Sequence, residues 1–419
     1  MKRTYDIDRS IEVPARIFFD AEARAGHNVA LSYVLTLAGT LTADEVQGAV
    51  ESLKAVNSRL RQQVQPLGER LTEWVPVETP GWVDLVELPP GAGLSAVLDQ
   101  GSRWQEKMFD RAVQPWRVGY FAPLHDAQSA VLIQLHHAVG DGGAVLAQLI
   151  SAFGIDTDRL AWVDVTGNQQ VSATPVSPSP ADADAAPPPA SFGTSTQPAG
   201  PVNSRHQQLV ILDSRPQDDW QAAARRYGVD MHTLYVAAVS RTLADYWKAV
   251  GESHDSIVVA MPTSSVRIRE AVGGLFAIHA PNLTVPVELL DADGLGQLSG
   301  MLAESLQLSE QQMLDLLSTF AVSAPSAPAG PSAGDEGSFS PPPSDLQAMN
   351  YGEVPAMAVA GRAVTDLCGF APATGTYAAF TLMSYGGVVK VCVNVDSATI
   401  TNRGTFDAAF SNAIAAVLK

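Results

Sequence analysis

The stretch His136-His137-Ala138-Val139-Gly140-Asp141-Gly142 decides how the rest of the chain is read. It follows the run Ala130-Val131-Leu132-Ile133-Gln134-Leu135 and precedes Ala144-Val145-Leu146-Ala147-Gln148-Leu149-Ile150. The first run has strand character and the second helical character. A histidine pair that ends a buried strand, followed by a turn carrying Asp and Gly, aims one imidazole into a cleft. Histidine titrates near neutrality and can take and return a proton there. The pleat of a strand sends neighbouring side chains to opposite faces, so only one ring easily reaches a cleft. The residues alone do not choose which. The plainer reading is a pair of core or turn histidines beside an Asp that caps the next helix.

Around this motif the first part of the chain, from Tyr5 to Val165, alternates strand and helix signals. Leu31 to Leu37 is apolar and β-branched, and Trp82 to Leu88, Val118 to Phe121 and Val131 to Leu135 supply further strands. Thr42 is the expected cap of a helix running from Ala43 to Ala55, with Asp44 and Glu45 well placed in its first turn. From Val171 to Val202 the composition turns to Pro, Ala, Ser and Thr, which builds no packed core and reads as a linker. Beyond it, Gln207 to Leu212 is a strand, and Pro216 to Tyr227 an amphipathic helix stopped near Gly228. Met231 to Trp247 is a helix apolar round most of its circumference. A second biased tract, Ser323 to Pro343, is a disordered surface loop or a lid. The expected division is therefore 1–170, a linker at 171–203, and 204–419 with the biased tract at 323–343 inside it.

A chain of 419 residues with 46% hydrophobic and 17% charged residues has enough material for two large cores. Its net charge of −18 argues against nucleic acid, which needs clustered Lys and Arg. No stretch approaches the roughly 18 apolar residues that span a bilayer, and the start has no apolar segment behind its basic residues. Cys368 and Cys392 offer at most one disulfide and no metal-ligand spacing, which fits a reduced cytoplasmic setting. No second nucleophile has a partner pattern, GxSxG is absent, and Gly140 to Gly143 lacks the Lys of a phosphate loop.

The motif reads as HHxxxDG and resembles the signature of the chloramphenicol acetyltransferase-like superfamily. That group includes condensation domains of peptide synthetases, polyketide-associated acyltransferases, plant BAHD acyltransferases and wax ester synthases. The likeness continues along the chain in order. Leu37 to Val46 with Val56-Asn57-Ser58-Arg59-Leu60-Arg61 resembles the opening strand, helix and turn. Met108-Phe109-Asp110-Arg111 with Pro115 to Val118 resembles the segment leading into the motif strand. Ile257 to Pro262 with Arg267, Gly273 to Phe276 with Pro281 to Val287, Asn350 to Pro355, and Phe380 to Gly387 are similar to later elements. Only HHxxxDG is specific on its own.

The resemblance implies an α/β fold of two chloramphenicol acetyltransferase-like subdomains, mixed sheets flanked by helices, in a V-shaped pseudo-dimer with a tunnel between them. It implies an acyltransferase that moves an acyl group from a thioester of coenzyme A or a carrier protein to a hydroxyl or amine. The setting would be natural-product or lipid biosynthesis, closest to the freestanding polyketide-associated enzymes. Such a protein is a cytoplasmic monomer with no bound cofactor or metal; its partners are a small-molecule acceptor and coenzyme A or an acyl carrier protein. Both donors are anionic, so on this acidic chain they need a local basic patch, for which Arg225-Arg226 and Arg267 with Arg269 are candidates. His137 carries over as the general base and His136 as structural. Asp141 would hold the motif loop through a salt bridge to Arg267, with Arg269 as the alternative. Gly142 would approach the substrate or adopt a positive φ, its amide near the oxyanion. Asn350 would donate to the same centre or cap a turn before Gly352. Two other readings remain: a cyclase or isomerase on the same scaffold, and a non-catalytic partner within a synthase.

Overall fold

The computed structural model describes residues 26–67, 70–77, 83–109, 114–155, 206–264, 278–322 and 344–419, with Ala15, Phe18, Phe19 and 21–23 near the start. The linker, the tract 323–343, Trp82, Arg267 and Arg269 lie outside the described residues. In chain order the strands are β1 (Ala30–Leu37), β2 (Gln62–Leu67), β3 (Arg70–Pro76), β4 (Val83–Glu87), β5 (Trp116–Ala122), β6 (Ser129–His136), β7 (Gln207–Pro216) and β8 (Ser256–Ala260). They continue as β9 (Thr263–Ser264), β10 (Ile278–His279), β11 (Asn282–Pro286), β12 (Leu346–Val354), β13 (Ala358–Val359), β14 (Arg362–Phe370), β15 (Ala378–Tyr385) and β16 (Val388–Asp396). The α-helices are α1 (Ala43–Val56), α2 (Leu94–Gln105), α3 (Gly142–Phe153), α4 (Gln217–Tyr227), α5 (Met231–Ala249), α6 (Leu295–Val322) and α7 (Arg403–Leu418).

Local chemistry explains the helix boundaries. At α1, Thr42 accepts from the Glu45 amide while the Glu45 carboxylate accepts from the Thr42 amide, a reciprocal capping box. α4 ends because Gly228 takes the left-handed conformation at φ 66°, which costs a glycine little. α5 begins where Asp230 accepts from the Thr233 amide at 2.7 Å, and it buries residues on nearly every face, as its composition requires.

Two six-stranded mixed sheets form the frame, ordered β13-β14-β1-β6-β5-β4 and β11-β8-β12-β15-β16-β7. Within them one pattern occurs twice. In the first sheet β1 and β6 are antiparallel, β6 and β5 antiparallel, and β5 and β4 parallel. In the second, β7 and β16, β16 and β15, and β15 and β12 repeat those senses in that order. A helix follows the second member of each set: α3 after β6 and α7 after β16. The halves thus share a topology that no repeat of residues betrays.

The partition of sheets does not follow chain order. β13 and β14, residues 358–370, come late in sequence yet sit in the first sheet, with β14 antiparallel to β1 from Ser32↔Phe370 to Leu37↔Val364. This crossover ties the sheets together. One face of the second sheet packs under α4 to α7 through Ala348, Phe380 and Val391. The other face, through Met349, Tyr351, Ala379 and Met383, shares a core with β1, β6, α1 and α3. The motif strand is apolar at both parities because it has a core on each side: Val131, Ile133 and Leu135 on one, Ala130 and Leu132 on the other.

Candidate active site

β6 ends at His136, opposite Ala30 of β1. His137 begins a single 3-10 turn, His137–Val139, held by its amide donating to the Val29 carbonyl at 2.9 Å. Alternation along the strand therefore places His136 but not its neighbour, because the pleat has ended one residue before His137. The expectation that one pleat would separate the two rings is corrected here: a turn separates them.

His136 is hydrogen-bonded at Nδ1 and faces a carboxylate at Nε2. Its Nδ1 accepts from the Ala138 amide at 3.0 Å, and its Nε2 lies 3.6 Å from Oε2 of Glu22, a carboxylate with no exposed surface. An accepting Nδ1 leaves the ring proton on Nε2, facing that carboxylate. The Phe19 ring stacks on it at 4.6 Å and Phe109 meets it edge-on. His136 staples the turn to the N-terminal segment.

His137 differs in kind. Phe18 stacks on its ring at 3.7 Å and 18°, and 9% of the residue is exposed. Beyond its own backbone, its buried Nδ1 has no hydrogen-bond partner among the described residues. Burial pushes its pKa down from 6.5 to about 3; a smaller upward pull comes from its own backbone, and the neighbouring His136 adds the least, downward. At neutral pH the ring is an uncharged imidazole, shielded from bulk water, with a lone pair to offer.

After the turn, Asp141 caps α3: its Oδ1 accepts from the Ala144 amide at 2.7 Å, and 1% of the residue is exposed. The apolar spacing Val145, Leu146, Leu149, Ile150 and Phe153 then seats α3 in the core. The amides of Gly142 and Gly143 head this helix and donate to no described residue. They lie at its positive end, where an anion is stabilised.

Gly142 departs from one expectation. Its φ is not positive; what requires a glycine is the Tyr351 hydroxyl, which occupies the space a Cβ would need. The Tyr33 hydroxyl donates to the Gly142 carbonyl at 2.8 Å. Burial raises both phenols, Tyr351 to about 12, so both stay protonated. A residue from each sheet thus grips the head of α3: Tyr33 from the first and Tyr351 from the second.

Asn350 is placed otherwise. Its Oδ1 accepts from the Gly352 amide at 2.9 Å, the turn-capping role, and its side chain lines a cleft with His232 and Thr263. No motif residue is among the described lining of that cleft. Arg225 and Arg226 are exposed in the last turn of α4, with Arg226 over the Tyr227 ring. Cys368 and Cys392 are buried free thiols that face one another between the sheets, beside Lys390. Among the described residues no cluster of His, Cys, Asp and Glu is arranged to hold a metal.

The architecture has counterparts among solved structures along nearly its whole length. The wax ester synthase/diacylglycerol acyltransferase from Marinobacter aquaeolei VT8 superposes with a TM-score of 0.64 at 13% identity, over 97% of this chain and 98% of that one. Polyketide synthase associated protein 5 from Mycobacterium tuberculosis gives 0.58 at 13% identity, over 98% and 97%. The first condensation domain of the CDA synthetase gives 0.56 at 13% identity, over 99% and 98%. The chain has the fold that these acyltransferase and condensation-domain structures share. No protein-family model and no curated protein sequence matches the chain. The two-subdomain condensation fold is therefore recognised by shape, while its chemistry has to be argued from the turn that carries His137. No described helix of this fold is long and apolar enough to cross a membrane.

Proposed function

We propose that the protein transfers an acyl group from a thioester, on coenzyme A or a carrier protein, to a hydroxyl or amine acceptor, with His137 as general base. The observation that carries this reading is the state of that ring: buried, neutral, and with no partner on Nδ1 beyond its own backbone among the described residues. His137 takes the proton from the acceptor as its oxygen or nitrogen attacks the thioester carbonyl. The tetrahedral oxyanion is stabilised by amide donors, for which Gly142 and Gly143 at the head of α3 are the available pair. Collapse breaks the carbon–sulfur bond, and the imidazolium returns its proton to the leaving thiolate. No covalent enzyme intermediate forms.

His136 and Glu22 position the turn, Asp141 caps α3, and Arg267 is the proposed salt-bridge partner of Asp141. The structural neighbours fit such a reaction by their own descriptions; one is a starter condensation domain in complex with C8-CoA and Leu-SNAC. Natural-product or lipid biosynthesis is the setting proposed. The test is to supply octanoyl-CoA with a panel of alcohols and amines and to follow release of free thiol together with product mass. Thiol release that depends on acceptor supports the reading. His137→Ala should lower turnover by about 10²–10⁴. Undiminished transfer in that variant would overturn the assignment.

A further inference from the structure

Both histidines of the motif are covered by one short stretch of chain near the start. Its described residues 18, 19 and 21–23 are helical, and three of their side chains reach the motif. Phe18 stacks on His137 with ring centroids 3.7 Å apart and planes 18° apart. Phe19 stacks on His136 at 4.6 Å, and the Glu22 carboxylate faces His136 Nε2 at 3.6 Å. Helical positions 18 and 22 lie one turn apart on the same side, with 19 beside them. The stretch thus divides its contacts: Phe19 and Glu22 hold the histidine that staples the turn, and Phe18 lies on the other ring.

The two phenylalanines sit differently. Phe19 is 1% exposed and belongs to a packed group with Val64, Trp74 and Ala138, whereas Phe18 is half-buried and only borders that group. A flat phenyl at van der Waals distance keeps water off a whole face of the imidazole. It also restricts rotation about χ2, which in histidine is broad and only two-fold. The titratable and charged groups on the elements about the turn are His136, Glu22, His27 ahead of β1, Arg59 over the Trp74 ring, Asp141 at the head of α3, and the phenols of Tyr33 and Tyr351. Of these, His136 alone contributes to the protonation of the His137 ring, and less than burial does. Cover, and not a counter-charge, therefore keeps this imidazole neutral.

We propose that Phe18 is a positioning residue of the site: its ring holds the plane of the His137 imidazole and keeps water off the face it covers. The catalytic consequence rests on the acyl-transfer reading; the holding and shielding of the ring do not. Because Phe18 is half-buried, cutting it back to alanine opens the space above His137 to solvent and does not leave a sealed void. Water then reaches the imidazole, its charged form becomes solvated, and the ring is free to turn.

The test follows the His137 ring by NMR in the full-length protein labelled at histidine Cε1, its signal assigned by its loss in His137→Gln. Between about pH 8 and pH 5 the wild-type ring should not titrate. In Phe18→Ala it should titrate inside that range, nearer the solvated value of 6.5. Phe18→Leu, which restores an apolar cover, should undo most of the change. Phe19→Leu loosens the same stretch at His136 and should leave the His137 signal untitrated. If the alanine variant does not fold, Phe18→Gln keeps much of the volume, brings a polar group to the ring and carries the same expectation. The second readout is kinetic. With octanoyl-CoA and an acceptor that the wild type uses, Phe18→Ala should lower kcat by about tenfold and change KM by less than about twofold, because orientation is lost and binding is not. A His137 ring that titrates alike in wild type and Phe18→Ala, or an unchanged kcat in that variant, would overturn the proposal. A wild type that transfers no acyl group to any acceptor would remove the reaction proposed at His137, and the titration would still decide whether Phe18 shields the ring.

Discussion

Burying the His137 ring has a consequence for stability that can be measured without substrate. In the unfolded chain the ring titrates near 6.5, and in the folded protein burial moves that value to about 3. Between those pH values the unfolded state binds a proton that the native state refuses, so stability rises with pH in this window and is level above it. At pH 5 the unfolded imidazole is about 97% protonated and the native one about 1%, which removes about 2 kcal/mol of stability relative to pH 7.5. Other groups titrate too: burial also lowers His27 and His232, and acidic side chains add their own slopes. Comparison with His137→Gln cancels those shared contributions. Urea unfolding of both proteins at pH 7.5 and pH 5.0 should show the wild type losing about 2 kcal/mol more than the variant on acidification. Equal losses would mean that His137 titrates alike in both states and is solvated in the native protein. The neutral, shielded base proposed for the reaction would then be refuted along with the pKa.

For the same reason the acid limb of kcat/KM, measured with any competent donor and acceptor, should stay level down to about pH 5 rather than halving near 6.5. Gly142→Ala puts a methyl group into the Tyr351 hydroxyl and should cost about 1–3 kcal/mol in urea unfolding; Tyr351→Phe in the same chain should restore part of it. Asp141→Ala should cost about 1–2 kcal/mol through the lost cap alone, whereas Asp141→Asn keeps an Oδ1 acceptor for the Ala144 amide. Any further loss in the Asn variant measures the carboxylate's charge. If Arg267 is its partner, a double-mutant cycle between the two should give a coupling above about 1 kcal/mol, and additivity within about 0.5 would remove that pair.

Most of the framework could be read from local chemistry. Thr42, Asp44 and Glu45 mark the start of α1, Gly228 the end of α4, and the apolar runs of β1, β5 and β6 have no alternative but burial. Position along the chain says less about sheet membership. Nothing in Arg362 to Phe370 distinguishes a strand of the second sheet from one that crosses to the first, because alternation reports burial and not the identity of the neighbour. The repeated strand order is equally silent in the residues. The two sets share directions and connections, and these constrain topology far more than they constrain side chains.

The site divides along the same line. A histidine pair and a following Asp-Gly were legible because their roles depend on chemistry that few residue types supply. The grip on α3 was not: Tyr33 reads as one more large residue in a buried strand, and Tyr351 as part of a turn. Their hydroxyls meet at Gly142 only because β12 delivers one sheet's face against the other's helix. The same delivery turns Asn350 away from the motif, since adjacent residues of β12 face opposite cores. One strand therefore serves two places, clamping the head of α3 through Tyr351 and lining the His232 crevice through Asn350. A shift of β12 by a single residue would exchange those faces and destroy both, so the register of this strand carries the geometry that links the two halves.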